Sequence, residues 1–310
     1  NGGNLAVSES FAVCGDGLTP DEFRYALNYQ AVRGINVFNA MITTAGDKKM
    51  QALVQRPVFT SAKPGFYNMN HINTYYKRLS YLLRLGEPQI DTALYIPCAD
   101  FWANEEKSKK ASESYIKKGV MLENSNVEFD IIDDYAILSA SISDDGLRVG
   151  DMLYKNIVVP ECEFMPDEVI ERIKPFIKEY ECVEEKSNIR IMKRKLPSGM
   201  LYFIFNEGIN KENVKIDAVD KLYRLNAVSS EITKTKNAIE VVSGDIAIIY
   251  ETDCELDTVS DEVEYSVDLK EFTTVKMKKF TITLEGICME EFSEPIEMTD
   301  EFSGEITYQT

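Results

Sequence analysis

Residues 4–44 read NLAVSESFAVCGDGLTPDEFRYALNYQAVRGINVFNAMITT, and this stretch decides how the rest of the chain is parsed. NLAVSESFAV is a short apolar run of strand character. LTPDEF then opens a helix, with Thr19 at the N-cap, Pro20 at the first helical position and Glu22 three residues after the cap, a capping-box arrangement. The helix ends near Arg33 and Gly34, where glycine suits the left-handed C-terminal position. INVFNAMITT follows as a second β-capable run. Strand, helix and strand in so short a space predict a βαβ unit with parallel strands.

Downstream, RPVFTSAKPGFYNMN is a loop rich in Pro, Gly and Asn. The helix after it carries Ile72, Tyr75, Tyr76, Leu79, Leu82 and Leu83 on one face and stops at Gly86 and Pro88. From Asp91 to about Leu201 strands alternate with helices: TALYIP, KASESYIKKGVMLE, FDIIDD, MLYKNIVVP and PDEVIERIKPFIKEY. Such alternation predicts an open, mostly parallel sheet of doubly wound type, with Pro175 bending or breaking the last helix. From Met200 the pattern turns period-two and β-branched, as in LYFIFNEG and AIEVVSGDIAIIYE, which predicts an antiparallel β-sandwich. The fold class is therefore α/β plus β, in segments 1–90, 91–200 and 201–310.

Composition narrows the partners. The 310 residues are 44% hydrophobic and 28% charged, as in a globular protein, with a formal net charge of −18. That charge repels nucleic-acid phosphates and anionic membrane surfaces, and leaves a neutral or cationic ligand easier to accommodate. The six cysteines form no C-x-x-C pair and the chain has one histidine, His71, so neither a metal site nor a cofactor is predicted. No hydrophobic run has membrane length. Localisation is left open, with the cytoplasm favoured over export.

Several residues are candidates for chemistry. Glu9 falls at the carboxyl end of the first strand, which in a β/α barrel is the catalytic face, so it is a potential nucleophile, base or ion ligand. It is equally a plain strand-end carboxylate. Asn36, Asn39 and Thr43 on the second strand can bind hydroxyls, and His71 lies near the start of the next helix. Phe59, Phe66 and Tyr67 in the long loop, and Trp102 after TALYIP, are stacking faces for a sugar ring or ordinary packing residues. Cys98 follows a strand but lacks both the glycine-flanked elbow and a histidine neighbour in sequence, which argues against a thiol nucleophile. The aspartates at 130, 133, 134, 144 and 145 match no EF-hand loop.

In order along the chain, SESFAVCGDGLTPDEFRYALNYQAVRGINVFNAM, NHINTYYKRLSYLLRLGEPQIDTALYIP, VEFDIIDDYAIL, LYKNIVVPE and LYFIFNEG resemble the C-terminal half of large multi-domain glycoside hydrolases of the β-galactosidase and α-L-rhamnosidase families. The resemblance implies the end of a (β/α)8 barrel, a glutamine-amidotransferase-like α/β domain of flavodoxin type, and then β-sandwich. It implies that Glu9 lies on the penultimate barrel strand, where retaining members carry their nucleophile. The partner carboxylate would come from a missing N-terminal barrel half, leaving this chain alone inactive. The substrate would be a carbohydrate bound near Asn36, Asn39, Tyr67, His71 and Trp102, with the α/β domain bracing the barrel or forming a homo-oligomer. The competing reading is a non-catalytic carbohydrate-binding or assembly module.

Overall fold

The computed structural model describes residues 5–11, 18–40, 69–103, 105–180, 187–258, 279–282 and 296–299. It divides into two units, one of Asn1–Ser8, Pro20–Asn39 and Asn70–Val259, the other of Glu9–Thr19, Ala40–Met69 and Ser260–Thr310. In the second unit the described strands β17 (Lys279–Ile282) and β18 (Ile296–Thr299) pair antiparallel, Lys279 opposite Thr299.

The chain begins as the sequence predicts, with β1 (Val7–Ser10), α1 (Pro20–Ala31) and β2 (Val37–Ala40). Phe23, Leu27, Asn28 and Ala31 form the buried stripe of α1. The helix closes in a Schellman motif: Gly34 N–H donates to the Ala31 carbonyl and Ile35 N–H to that of Gln30, with Gly34 at φ +90°. Among the described residues, β1 and β2 form a two-stranded sheet.

Helix α2 (Met69–Leu83) buries Tyr75, Leu79, Ser80 and Leu83. Tyr75 donates its hydroxyl to Asn28 on α1, and Tyr76 donates to the Phe38 carbonyl on β2 at 3.0 Å. Gly86 ends the α2 segment at φ +65°, where a Cβ would lie 2.3 Å from the Lys195 carbonyl oxygen, so only glycine fits. Arg194 covers that end, donating to the carbonyls of Leu85 at 2.6 Å and Gly86 at 2.8 Å.

Next come β3 (Glu87–Pro88), β4 (Thr92–Tyr95), α3 (Cys98–Phe101), α4 (Glu105–Asn124) and β5 (Phe129–Ile132). They are followed by α5 (Asp134–Ser139), β6 (Ser141–Ser143), β7 (Gly146–Val149), β8 (Met152–Tyr154), β9 (Asn156–Val158) and α6 (Asp167–Ile173). Parallel pairing joins β4 to both β5 and β9, in the order β5-β4-β9. Every residue of β4 is buried, as a central parallel strand requires. Ala93 and Tyr95 pack with Ile137, Val169 and Ile173 on one face, and Leu94 with Met121, Leu122 and Val158 on the other. Helices therefore cover both faces of this sheet, which has three strands among the described residues.

The expected strand MLYKNIVVP is in fact two. Both Lys155 and Asn156 donate their N–H to the Asp91 carbonyl, ending β8 in an antiparallel meander with β6 and β7 and starting β9 in the parallel sheet. A continuous apolar run does not reveal where the chain changes sheets. After Ile173 the helix passes into a 3-10 turn, Lys174–Phe176, as Pro175 dictates.

The antiparallel sheet begins at Ile189, earlier than the change of pattern at Met200. Its strands are β10 (Ile189–Leu196), β11 (Gly199–Asn206), β13 (Lys221–Leu225), β14 (Ile232–Thr235) and β16 (Ile246–Thr252), joined with β3 in the order β14-β13-β16-β11-β10-β3. A separate pair, β12 (Glu212–Lys215) and β15 (Ala238–Val241), packs on this sheet through Ile204, Ile216, Leu222, Ile239, Val241, Ala247 and Ile249. The inward positions of β10 include Arg190, Met192 and Arg194, which disguised it as polar sequence. No helix among the described residues is long and apolar enough to cross a membrane.

One ion cluster joins these layers. The buried Glu207 carboxylate accepts Arg33 at 2.5 Å and Arg190 at 3.2 Å, while Arg33 also reaches Glu123 of α4 at 2.9 Å. Glu207→Ala leaves Arg190 without a carboxylate partner and Arg33 with Glu123 alone, and urea denaturation is expected to show a loss of about 3 kcal/mol; an apolar pair, Arg190→Met with Glu207→Leu, should recover most of it. Near β10, partly buried Glu128 accepts the Lys193 N–H at 3.0 Å, and burial pushes its carboxyl up to about 8 against the attraction of Lys193 and Arg194. The folded state then holds a proton that the unfolded state releases. Stability should therefore fall as pH rises from about 4.5 to about 8, and Glu128→Gln should flatten that fall in denaturation midpoints measured across the window.

Candidate functional site

Glu9 is the third residue of β1 and is exposed. The two residues after it, Ser10 and Phe11, are buried, and Phe11 takes a left-handed backbone at φ +69°. A bulky side chain in that region is strained, and such strain persists only where surrounding structure holds it. The chain thus turns sharply two residues beyond an exposed carboxylate at a strand's carboxyl end.

The candidate ligand-binding residues separate by environment. Asn36 is buried, and its side-chain oxygen accepts the Ala6 N–H at 3.0 Å while its carbonyl accepts the Ser80 hydroxyl. It clamps the start of β1, β2 and α2 together, so that side-chain oxygen is already engaged within the fold. Asn39 on β2 and His71 in the first turn of α2 are exposed. Trp102, just past α3, is 83% exposed. Tyr67, with Thr43, Phe59 and Phe66, lies outside the described residues. Glu9 falls in the second unit, whereas Asn36, Asn39, His71 and Trp102 belong to the first.

The carboxyl edge of the parallel sheet is a second concentration of polar groups. Cys98 opens α3 after β4, where burial, followed by the negative charges of Asp133 and Asp134, pushes its thiol up. Cys162 is pushed up to about 11 by burial and by Asp100 and Asp134. A thiol held protonated is a poor nucleophile, and the sole histidine, His71, stands at the start of α2. Buried Asp100 accepts the N–H groups of Glu163 at 2.7 Å and Phe164 at 3.1 Å. Beside it a cleft of about 270 Å³ is lined by Asp100, Lys107, Lys110, Glu161, Cys162 and Glu163. Lys107 pairs with Glu163 at 2.8 Å and Lys110 with Glu161 at 3.7 Å. Among the described residues no three His, Cys, Asp or Glu side chains are grouped so as to hold a metal ion.

Sequence reading singled out Trp102 at this edge but missed Tyr135 and Phe164, which the structure places at the same edge. Their signal was positional: each follows a strand of the same parallel sheet, and that was visible only once β9 was separated from β8.

Comparison with solved structures connects the fold to known proteins. A rhamnosidase from Novosphingobium sp. PP1Y matches with a TM-score of 0.61 at 12% identity over 91% of this chain and 33% of its own. A catalytic mutant of a GH42 beta-galactosidase from G. stearothermophilus matches with a TM-score of 0.55 at 8% identity, over 80% and 54% respectively. In fold, the chain is similar to a segment of these glycosidases. A beta-galactosidase from Bacillus circulans sp. alkalophilus gives a TM-score of 0.53 at 7% identity over 80% of this chain and 55% of its own. The chain spans a third to about half the length of these structures. No protein-family model and no curated protein sequence matches it.

Proposed function

We propose that this chain is part of a glycoside hydrolase that cleaves O-glycosidic bonds of oligo- or polysaccharides through a pair of carboxyl groups, one of them Glu9. The observation that carries the reading is the fold likeness, which extends over 91% of the chain for the rhamnosidase. The strained turn at Phe11 beside exposed Glu9 supports the assignment of that residue.

Glycoside hydrolysis needs one carboxylic acid to protonate the departing oxygen and one carboxylate on the opposite side of the sugar, about 5–9.5 Å away. Glu9 supplies the carboxylate. It either attacks the anomeric carbon, forming a glycosyl ester that water then cleaves, or removes a proton from the attacking water. The acid belongs, on this reading, to the part of the enzyme that this chain does not span. Asn39 and His71, both exposed, remain the proposed contacts for sugar hydroxyls. Asn36 contributes by fixing β1 against β2. Two carboxyl groups suffice for this chemistry, so no cofactor enters it.

A panel of aryl glycosides, including β-galactoside and α-L-rhamnoside, tests the proposal on the longer enzyme bearing this segment. One substrate should be cleaved, and Glu9→Gln should lower kcat by at least about 10²-fold, the scale of a positioned acid or base. Unchanged turnover in Glu9→Gln removes the catalytic assignment. Inertness on every glycoside favours a carbohydrate-binding or assembly module.

A further inference from the structure

We propose that the carboxyl edge of the three-stranded parallel sheet binds a neutral oligosaccharide, with Trp102, Tyr135 and Phe164 as its stacking faces. All three strands contribute. Trp102 follows β4, Tyr135 follows β5 and Phe164 follows β9. The carboxyl ends of parallel strands are where open α/β sheets take their ligands.

These aromatics are displayed rather than packed: Trp102 is 83% exposed, Tyr135 79% and Phe164 44%. Hydrogen bonds fix the backbone that carries them at one edge. Tyr95, the last residue of β4, donates its hydroxyl at 2.6 Å to Asp134, the neighbour of Tyr135. Asp133 caps α5 by accepting the Ala136 N–H at 2.8 Å, which holds Tyr135 in the first turn. Asp100, two residues before Trp102, accepts the Phe164 N–H. The ammonium of Lys107 sits 4.3 Å from the centre of the Phe164 ring.

A pyranose ring has an apolar C–H face and a rim of hydroxyls, so it suits aromatic faces bordered by hydrogen-bonding charges. Lys107, at the Phe164 ring, and Glu163, its chain neighbour, line the 270 Å³ cleft with Lys110 and Glu161, so charged hydrogen-bonding groups flank that aromatic. Charge selects among sugars. Asp100, Asp133, Asp134, Glu161 and Glu163 outnumber the two lysines, and the whole chain carries −18, so uronate or sulfated chains are repelled and neutral ones are not. The choice of a sugar over a protein as occupant rests on the glycosidase reading above.

Trp102 is the only tryptophan in the chain, so its emission reports this edge alone. The 310-residue chain is titrated with neutral galacto-, rhamno- and malto-oligosaccharides, and with oligogalacturonate as the anionic control. A saturable blue shift with at least one neutral oligosaccharide and none with oligogalacturonate is expected. Tyr135→Ala and Phe164→Ala should each weaken that binding about 3- to 10-fold, the scale of one aromatic contact, with the circular dichroism spectrum unchanged. Calorimetry on Trp102→Ala should show a comparable loss. No shift with any neutral oligosaccharide, or a shift indifferent to both Tyr135→Ala and Phe164→Ala, overturns the proposal. Sugar binding at this edge with no hydrolysis by the longer enzyme would uphold this site while removing the hydrolase reading, and the reverse pattern would do the opposite.

Discussion

A single buried carboxylate ties the first unit together. Glu207, at the end of β11, receives Arg33 from the segment after α1 and Arg190 from β10, and Arg33 extends the link to Glu123 on α4 while lying 3.7 Å over the Tyr29 ring. The leading strand–helix–strand, the α/β layer and the antiparallel sheet thus meet at one set of charges. Charge pairs taken out of water rarely add much net stability, but each member is costly to leave alone. Their effect is geometric: the pairing admits one docking of α1 on the sheet, which Tyr25 reinforces by stacking edge-on against Phe205 and Asn28 by donating to the Gly244 carbonyl at 3.2 Å.

How much of this was legible depends on whether local chemistry or partners set each element. Pro20 and the glycine at 34 mark the two ends of α1 because helix termini have strong residue preferences. Gly86 marks the turn after α2 for a reason the sequence only half shows, since the obstacle to any side chain is the backbone of Lys195, far along the chain. Strand β10 escaped notice because Arg190 and Arg194 face inward, where their partners are Glu207 and the carbonyls of Leu85 and Gly86. Such partners are tertiary and leave no trace in periodicity. The split of β8 from β9 likewise depends on Asp91, whose carbonyl takes both intervening N–H groups.

The candidate sites show the same division. Exposed carboxylates and aromatics at strand ends, such as Glu9 and Trp102, are visible from strand positions alone. Asn36 illustrates the converse: an asparagine on a strand reads as a ligand group, yet its oxygen holds the Ala6 N–H. Tyr135 and Phe164 gain meaning only when three strands are known to be parallel neighbours.

On the proposed reading the α/β and antiparallel layers form a braced platform, while hydrolysis belongs to the Glu9 carboxylate and sugar capture to a sheet edge. Its central claim is the role of Glu9. The most direct measurement is turnover of an activated aryl glycoside by the Glu9→Ala form of the enzyme bearing this segment, with and without added azide. The account predicts loss of hydrolysis without azide and its partial return with azide, as a glycosyl azide of inverted anomeric configuration; whether Glu9 attacks carbon or activates water is read from the unaltered enzyme's own product, retained in the first case and inverted in the second. Hydrolysis that proceeds at the original rate in Glu9→Ala, with no azide adduct, would contradict it.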